Sequence, residues 1–210
     1  MTIFTRRTLL IGGLAAGTAG AIGAAMIPPA RRAEAQALTV QDVLFDPDSP
    51  VLGNPDGDVT IAEFFDYQCP YCKANHPDLT RVVAEDGNIR LVMKDFPIFG
   101  APSIRASQLV LGAADTGAYE AAMEALMQTQ GRLSEDAVTG ALQAAGLPVD
   151  RLDAAYRANR AKWDGLLSRN SAQAAQLGLQ GTPAFIIGQT IYPGAMDRKA
   201  LLKAVANARA

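Results

Sequence analysis

Histidine and cysteine are almost missing from this chain: one His, at position 76, and two Cys in 210 residues. Two thiols and one imidazole do not complete a four-ligand zinc set, and no acidic residue stands at ligand spacing beside them. An excess of one charge is missing too. Nineteen Lys and Arg against 21 Asp and Glu leave a net charge of −2, with no basic footprint for nucleic acid. No internal repeat or low-complexity tract stands out beyond the N-terminal segment. What remains is 49% hydrophobic, enough for one medium domain or a domain carrying an insertion. Both cysteines fall in Cys69-Pro70-Tyr71-Cys72, just after the apolar run Val59–Phe65. A dithiol at this spacing can cycle between thiol and disulfide. The same letters also begin a buried structural pair or half of a zinc site.

Residues 1–37 read as an export signal rather than as part of the fold. Arg6-Arg7 supply the positive start, an uncharged apolar stretch follows over 9–27, and Ala33-Glu34-Ala35 and Ala35-Gln36-Ala37 are small-x-small cleavage candidates. Thr5-Arg6-Arg7-Thr8-Leu9-Leu10 resembles the twin-arginine export motif, with Leu9 where Phe is usual and Ile11 where Lys is common. Arg31-Arg32 add to that resemblance and favour this route over general secretion. The stretch is just long enough to span as an uncleaved anchor, but its glycines and the cleavage sites argue for removal. No cysteine follows it to carry a lipid. The expected location is the periplasm or cell envelope, an oxidising compartment. There a C-x-x-C loop is a poor staple, because so short a loop removes little unfolded-chain entropy. The pair therefore points to redox work.

After the signal, 38–58 reads as a lead-in, irregular over 46–58 where Pro47, Pro50, Gly53, Pro55 and Gly57 cluster. The run Val59–Phe65 predicts a central buried strand. Asp66-Tyr67-Gln68 is a connector, and a helix runs from the cysteines toward Glu85. Gly87-Asn88 turn the chain into a second strand over 89–93, a parallel β-α-β pair. Over 103–178 the apolar residues Leu109, Met123, Leu126, Leu142, Leu152 and Leu166 recur at helical spacing, between boundaries at Gly117, Gly131, Gly146-Leu147-Pro148 and Asp150. Thr182-Pro183 opens a strand over 184–187, Gly188-Gln189 turn it into a second over 190–192, and a helix over 197–208 closes the chain.

The stretch Glu63-Phe64-Phe65-Asp66-Tyr67-Gln68-Cys69-Pro70-Tyr71-Cys72, with the later Gly181-Thr182-Pro183-Ala184-Phe185, resembles the DsbA-type thiol:disulfide oxidoreductases of bacterial envelopes. The resemblance covers the chain from about Val51 onward. It implies an α/β, thioredoxin-like fold, a central mixed sheet flanked by helices with an all-helical insertion over about 103–178, within a domain over 59–210. It implies a redox-active disulfide, with unfolded or partly folded secreted proteins as substrates and a membrane redox partner. Neither a cofactor nor a metal is expected. DsbA itself carries Cys-Pro-His-Cys; Pro70-Tyr71 here also resembles glutaredoxins and the ScsC and DsbG branches, as Thr182 does the isomerase-type branches. Those isomerases carry a dimerisation domain or trimerising stalk. Only about twenty residues separate Ala37 from Val59, so a monomer is expected.

Cys69 is the expected nucleophile. It precedes the helix, where free N–H groups and the positive dipole end favour a thiolate, and Pro70 suits the first helical position. Cys72, one turn in, resolves the mixed disulfide. A stabilised Cys69 thiolate makes the disulfide form an oxidant, a weaker one than with His because Tyr71 carries no positive charge. The resemblance implies that Pro183 is cis and faces the dithiol, and that Pro70, Tyr71 and Thr182 meet substrate; the plain alternative is a strand-start proline. Glu63 alternates with Ile61 and Phe65 and matches the buried acid of thioredoxin-like proteins, with Lys94 as its candidate partner or both facing solvent. His76 reads as a packing or surface residue, Phe96-Pro97 and Phe99 as groove lining, and Trp163 as core. Two other readings stay open: an envelope reductase or isomerase, and a thiol-based metal-binding module.

Overall fold

A strand buried along its whole length needs neighbours on both edges and cover on both faces. Val59–Phe65 is such a strand in the computed structural model, which describes residues 38–210. The segment 1–37, read as an export signal, lies outside the described residues. In chain order the elements are α1 (Val40–Leu44), β1 (Val51–Gly53), β2 (Val59–Phe65), α2 (Pro70–Asp86), β3 (Ile89–Asp95), α3 (Ala101–Ala114), α4 (Tyr119–Met127), α5 (Glu135–Ala144), α6 (Val149–Ala158), α7 (Arg160–Gln176), β4 (Ala184–Ile187), β5 (Thr190–Pro193) and α8 (Arg198–Ala208). The sheet order is β1-β3-β2-β4-β5. Only β2 and β3 are parallel, joined through α2; the other pairs are antiparallel. This is a thioredoxin-like fold, a mixed sheet flanked by helices, with five helices and no described strand between β3 and β4.

The strands over 184–187 and Val59–Phe65 stand as read, and β3 runs two residues further than 89–93. The lead-in differs more. It holds α1 and β1, and β1 pairs with β3 at Val51↔Val92 and Leu52↔Leu91. Three residues flanked by proline and ending in Gly53 are too short to show a strand period.

Side-chain alternation divides β2 between two faces. Ile61 and Phe65 meet Leu79, Val82 and the helices of the insertion; Ala62 and Phe64 meet Val43, Leu44 and Ala174 on the other face. Helix α2 buries Cys72, Asn75, His76, Leu79, Val82 and Val83, one stripe at helical spacing, and ends at Gly87 with φ +69°. In the insertion α3 crosses α6 at Gly112, where an added Cβ would lie 2.1 Å from the Leu152 carbonyl oxygen. Gly112→Ala is expected to destabilise by about 2 kcal/mol despite alanine's helix propensity. That is a fall of roughly 4–8 °C in Tm. Gly140, in the interior of α5 with open space around it, should instead tolerate Ala or gain slightly. Equal melting of both variants would refute the close approach.

Candidate active site

The connector 66–68 is tied down on every side. The Asp66 carboxylate accepts from the N–H groups of Gln68 at 2.7 Å, Ile98 at 2.7 Å and Phe99 at 3.1 Å. The Gln68 amide donates to the Phe99 carbonyl at 3.0 Å and accepts from the Leu133 N–H at 2.9 Å. The chain before the cysteines is thus held to the loop after β3 and to the loop after α4. Only the Asp66–Gln68 bond is local; the other partners lie 31 to 65 residues away, so the sequence of 66–68 does not announce them.

Cys69 is the N-cap of α2, with Pro70 at its first position. Its sulfur accepts from the Cys72 N–H at 3.5 Å and lies 3.2 Å from the Thr182 carbonyl oxygen, to which the thiol donates. Its pKa is lowered to about 6. The Cys72 thiol is the largest cause; the Cys72 and Tyr71 backbones add to it, against the opposing effect of burial. Cys72 differs sharply. Both residues are buried, but at Cys72 burial, with the Cys69 hydrogen bond and the Glu63 charge behind it, pushes the thiol far above the ordinary range. Both cysteines are free thiols.

The Thr182–Pro183 peptide is cis. It brings Thr182 against Cys69, as the chain enters β4 beside β2. Pro70 is exposed and so is Tyr71, at 68%, so the dipeptide between the cysteines faces solvent. Ile98, Phe99 and Ile104 are exposed apolar neighbours in the chain after β3. A cleft of about 600 Å³ opens beside the site, lined by Gln68, Pro70, Lys73, Phe99, Met127 and Arg132.

Glu63 lies on the dithiol face of the sheet with Ile61 and Phe65, wholly buried, its carboxyl raised to about 8 by burial first and the Cys69 charge second. Lys94 does not pair with it. The parallel register sets Lys94 against Phe64, so it points to the opposite face. There its ammonium donates to Ser49 Oγ at 3.0 Å and lies 3.6 Å from Asp46, which Arg169 also binds. Burial lowers Lys94 to about 8. Phe96 likewise turns to that face, edge-on to Phe64, and leaves the groove to Phe99. His76 is buried and its Nε2 meets the Glu124 carboxylate of α4 at 2.6 Å. Trp163 is core, and its indole N–H donates to Asp115 at 2.8 Å.

Sequence reasoning missed Asp95. It ends β3 beside Phe65, fully buried, and burial raises its carboxyl to about 7. Carrying the alternation of β3 two residues past Met93 would have placed it on the dithiol face.

The family model described as thioredoxin matches residues 46–207. Among solved structures, a thioredoxin-like oxidoreductase from Silicibacter pomeroyi is 37% identical with a TM-score of 0.77, covering 82% of this chain and 98% of that one. The thiol-disulfide exchange protein alpha-DsbA2 from Wolbachia pipientis is 28% identical at a TM-score of 0.74, covering 80% and 90%. The catalytic domain of Proteus mirabilis ScsC is 31% identical at 0.68, covering 80% and 93%. The chain also matches a Na+/H+ antiporter from Salinispora arenicola at 29% identity over 195 residues, 88% of this chain and 29% of the antiporter. It spans under a third of the length of the curated relatives it matches.

Proposed function

This chain belongs to the thioredoxin family, and we propose that within it the protein is an exported, monomeric oxidase of dithiols in secreted proteins. One observation carries the direction: Cys69 has its thiolate favoured, to about pH 6, while Cys72 is held as a thiol. Stabilising the thiolate stabilises the reduced enzyme, so its disulfide is readily given up.

A substrate thiolate attacks Cys69 Sγ of the enzyme disulfide, and the Cys72 sulfur leaves and is protonated. A second substrate thiolate attacks its own sulfur in the mixed disulfide, and Cys69 departs as the stabilised thiolate. The substrate gains a disulfide, and a membrane partner reoxidises the enzyme. The Thr182 carbonyl lies against the attacked sulfur with Pro183 next in the chain, Pro70 and Tyr71 present an exposed apolar rim, and the cleft along Phe99 takes the flanking substrate chain. Use of the lead-in as α1 and β1 supports a monomer, since it is taken up within the fold. Export rests on the reading of 1–37.

The test is the reduction potential of the 69–72 couple against glutathione. A value toward about −120 mV supports the oxidase; one near about −270 mV supports a reductase and overturns the direction proposed. Tyr71→His should raise the potential by placing a cation near the Cys69 thiolate. An unchanged or lower potential would remove Tyr71 as the reason for a weaker oxidant.

A further inference from the structure

Beneath the dithiol lies a set of polar groups that the two sulfurs do not account for. Glu63 on β2 and Asp95 on β3 share a face, because Asp95 pairs with Phe65, two residues on from Glu63. Both carboxyls are wholly buried, and none of their four oxygens has a hydrogen-bond partner among the described residues. The hydroxyls of Tyr67, Tyr119 and Ser103 are buried and unpartnered in the same way. Each tyrosine feels both carboxylates as well as the other hydroxyl. Buried polar atoms without a partner are few in folded proteins. The two carboxyls and two tyrosine hydroxyls, from β2, β3, α4 and the connector, act on one another and suit protons on the move rather than fixed bonds.

We propose that Asp95 is a second proton-holding residue of the dithiol site, joined to Glu63 through the hydroxyls of Tyr67 and Tyr119. The proposal rests on Cys72 being the resolving thiol. When Cys72 attacks a mixed disulfide on Cys69, its S–H bond breaks and the Cys69–Cys72 bond forms. The bond from Cys69 to the substrate sulfur breaks, and that sulfur leaves with the electron pair. The proton needs an acceptor. Glu63 acts directly on Cys72, yet with a pKa of about 8 it is mostly protonated at neutral pH. Asp95, at about 7, is roughly half ionised there. Glu63 therefore takes the Cys72 proton as it passes its own, through the tyrosine hydroxyls, to Asp95. The reverse step returns a proton to Cys72. After burial, the Asp66 charge raises Asp95 further, Ser107 of α3 favours its ionised form, and Asn170 of α7 donates only to its backbone carbonyl. Lys94 faces the other way.

The proposal is tested by forming a nitrothiobenzoate mixed disulfide on Cys69 of the full chain and following release of the coloured thiolate across neutral pH. Asp95→Asn, near-isosteric and uncharged, should slow release about tenfold at pH 7, below the full effect of a general base because Glu63 remains. Its midpoint should move from near 7 toward near 8. Tyr119→Phe should slow release less, with the same shift. A merely structural Asp95 would change Tm and leave the midpoint in place. Wild-type rate and midpoint in both variants would overturn the relay. Cys72→Ser should release nothing; release at the wild-type rate would instead overturn the assignment of Cys72.

Discussion

Cys69→Ser is expected to bring disulfide exchange to background, while Cys72→Ser keeps the attack and stops at the mixed disulfide. The asymmetry follows from the environments of the two sulfurs. The thiolate is the nucleophile, and near neutral pH only Cys69, at about 6, supplies it. A serine hydroxyl at the helix N-terminus stays protonated and attacks nothing. Cys72 cannot stand in, because its thiol is pushed far up and stays protonated. Mass spectrometry of each variant with a disulfide-bonded peptide reads the outcome: no adduct for the first, a stable adduct for the second. In the reduced wild-type protein, alkylation should be confined to Cys69 and reach half its maximum near pH 6. Turnover by Cys69→Ser, or alkylation at Cys72 first, would reverse the assignment.

Glu63→Gln is expected to stabilise the reduced protein at alkaline pH and to matter little in acid. The Glu63 carboxyl is raised from 4.5 to about 8 in the fold, chiefly by burial. A raised group contributes its stability in full below its unfolded pKa and loses it as pH climbs through the folded one. The loss therefore runs from about pH 4.5 to 8 and reaches roughly 5 kcal/mol. Asp95, raised from 3.8 to about 7, adds a loss of the same sign in nearly the same window. Denaturant unfolding at pH 5 and pH 9, with excess reductant, should show the Gln variant gaining on wild type only at the higher pH. Parallel curves would mean that burial does not hold the Glu63 carboxyl protonated.

The elements that position this chemistry were legible because their periods are local. Val59–Phe65 is apolar almost throughout, and Cys69 with Pro70 marks a helix start. The placement of Glu63 beside Ile61 and Phe65 needs only alternation. The misreadings depend on register and on distant chain. Lys94 and Glu63 look like partners until β3 is laid beside β2, when a single residue of offset sends Lys94 to Ser49 and Asp46. His76 finds Glu124 across a helix 48 residues away. Asp95 was overlooked because the strand continues into a sequence, Lys94-Asp95-Phe96-Pro97, whose charges and proline suggest a loop. Gln68 and Asp66 act on backbone groups, and those leave no mark in a sequence.

The β2–β3 register has a further consequence: the central strand stores its chemistry as parity. Odd positions 61, 63 and 65 address the side where a proton can change hands, and even positions 62 and 64 address a permanent scaffold whose ions Lys94, Asp46 and Arg169 are already matched. A deletion of one residue within β2 would change few letters yet exchange the two addresses. The carboxyl of Glu63 would be delivered to the matched ions and a phenyl ring to the sulfurs. Drift in this strand is therefore tolerable by substitution and ruinous by frame.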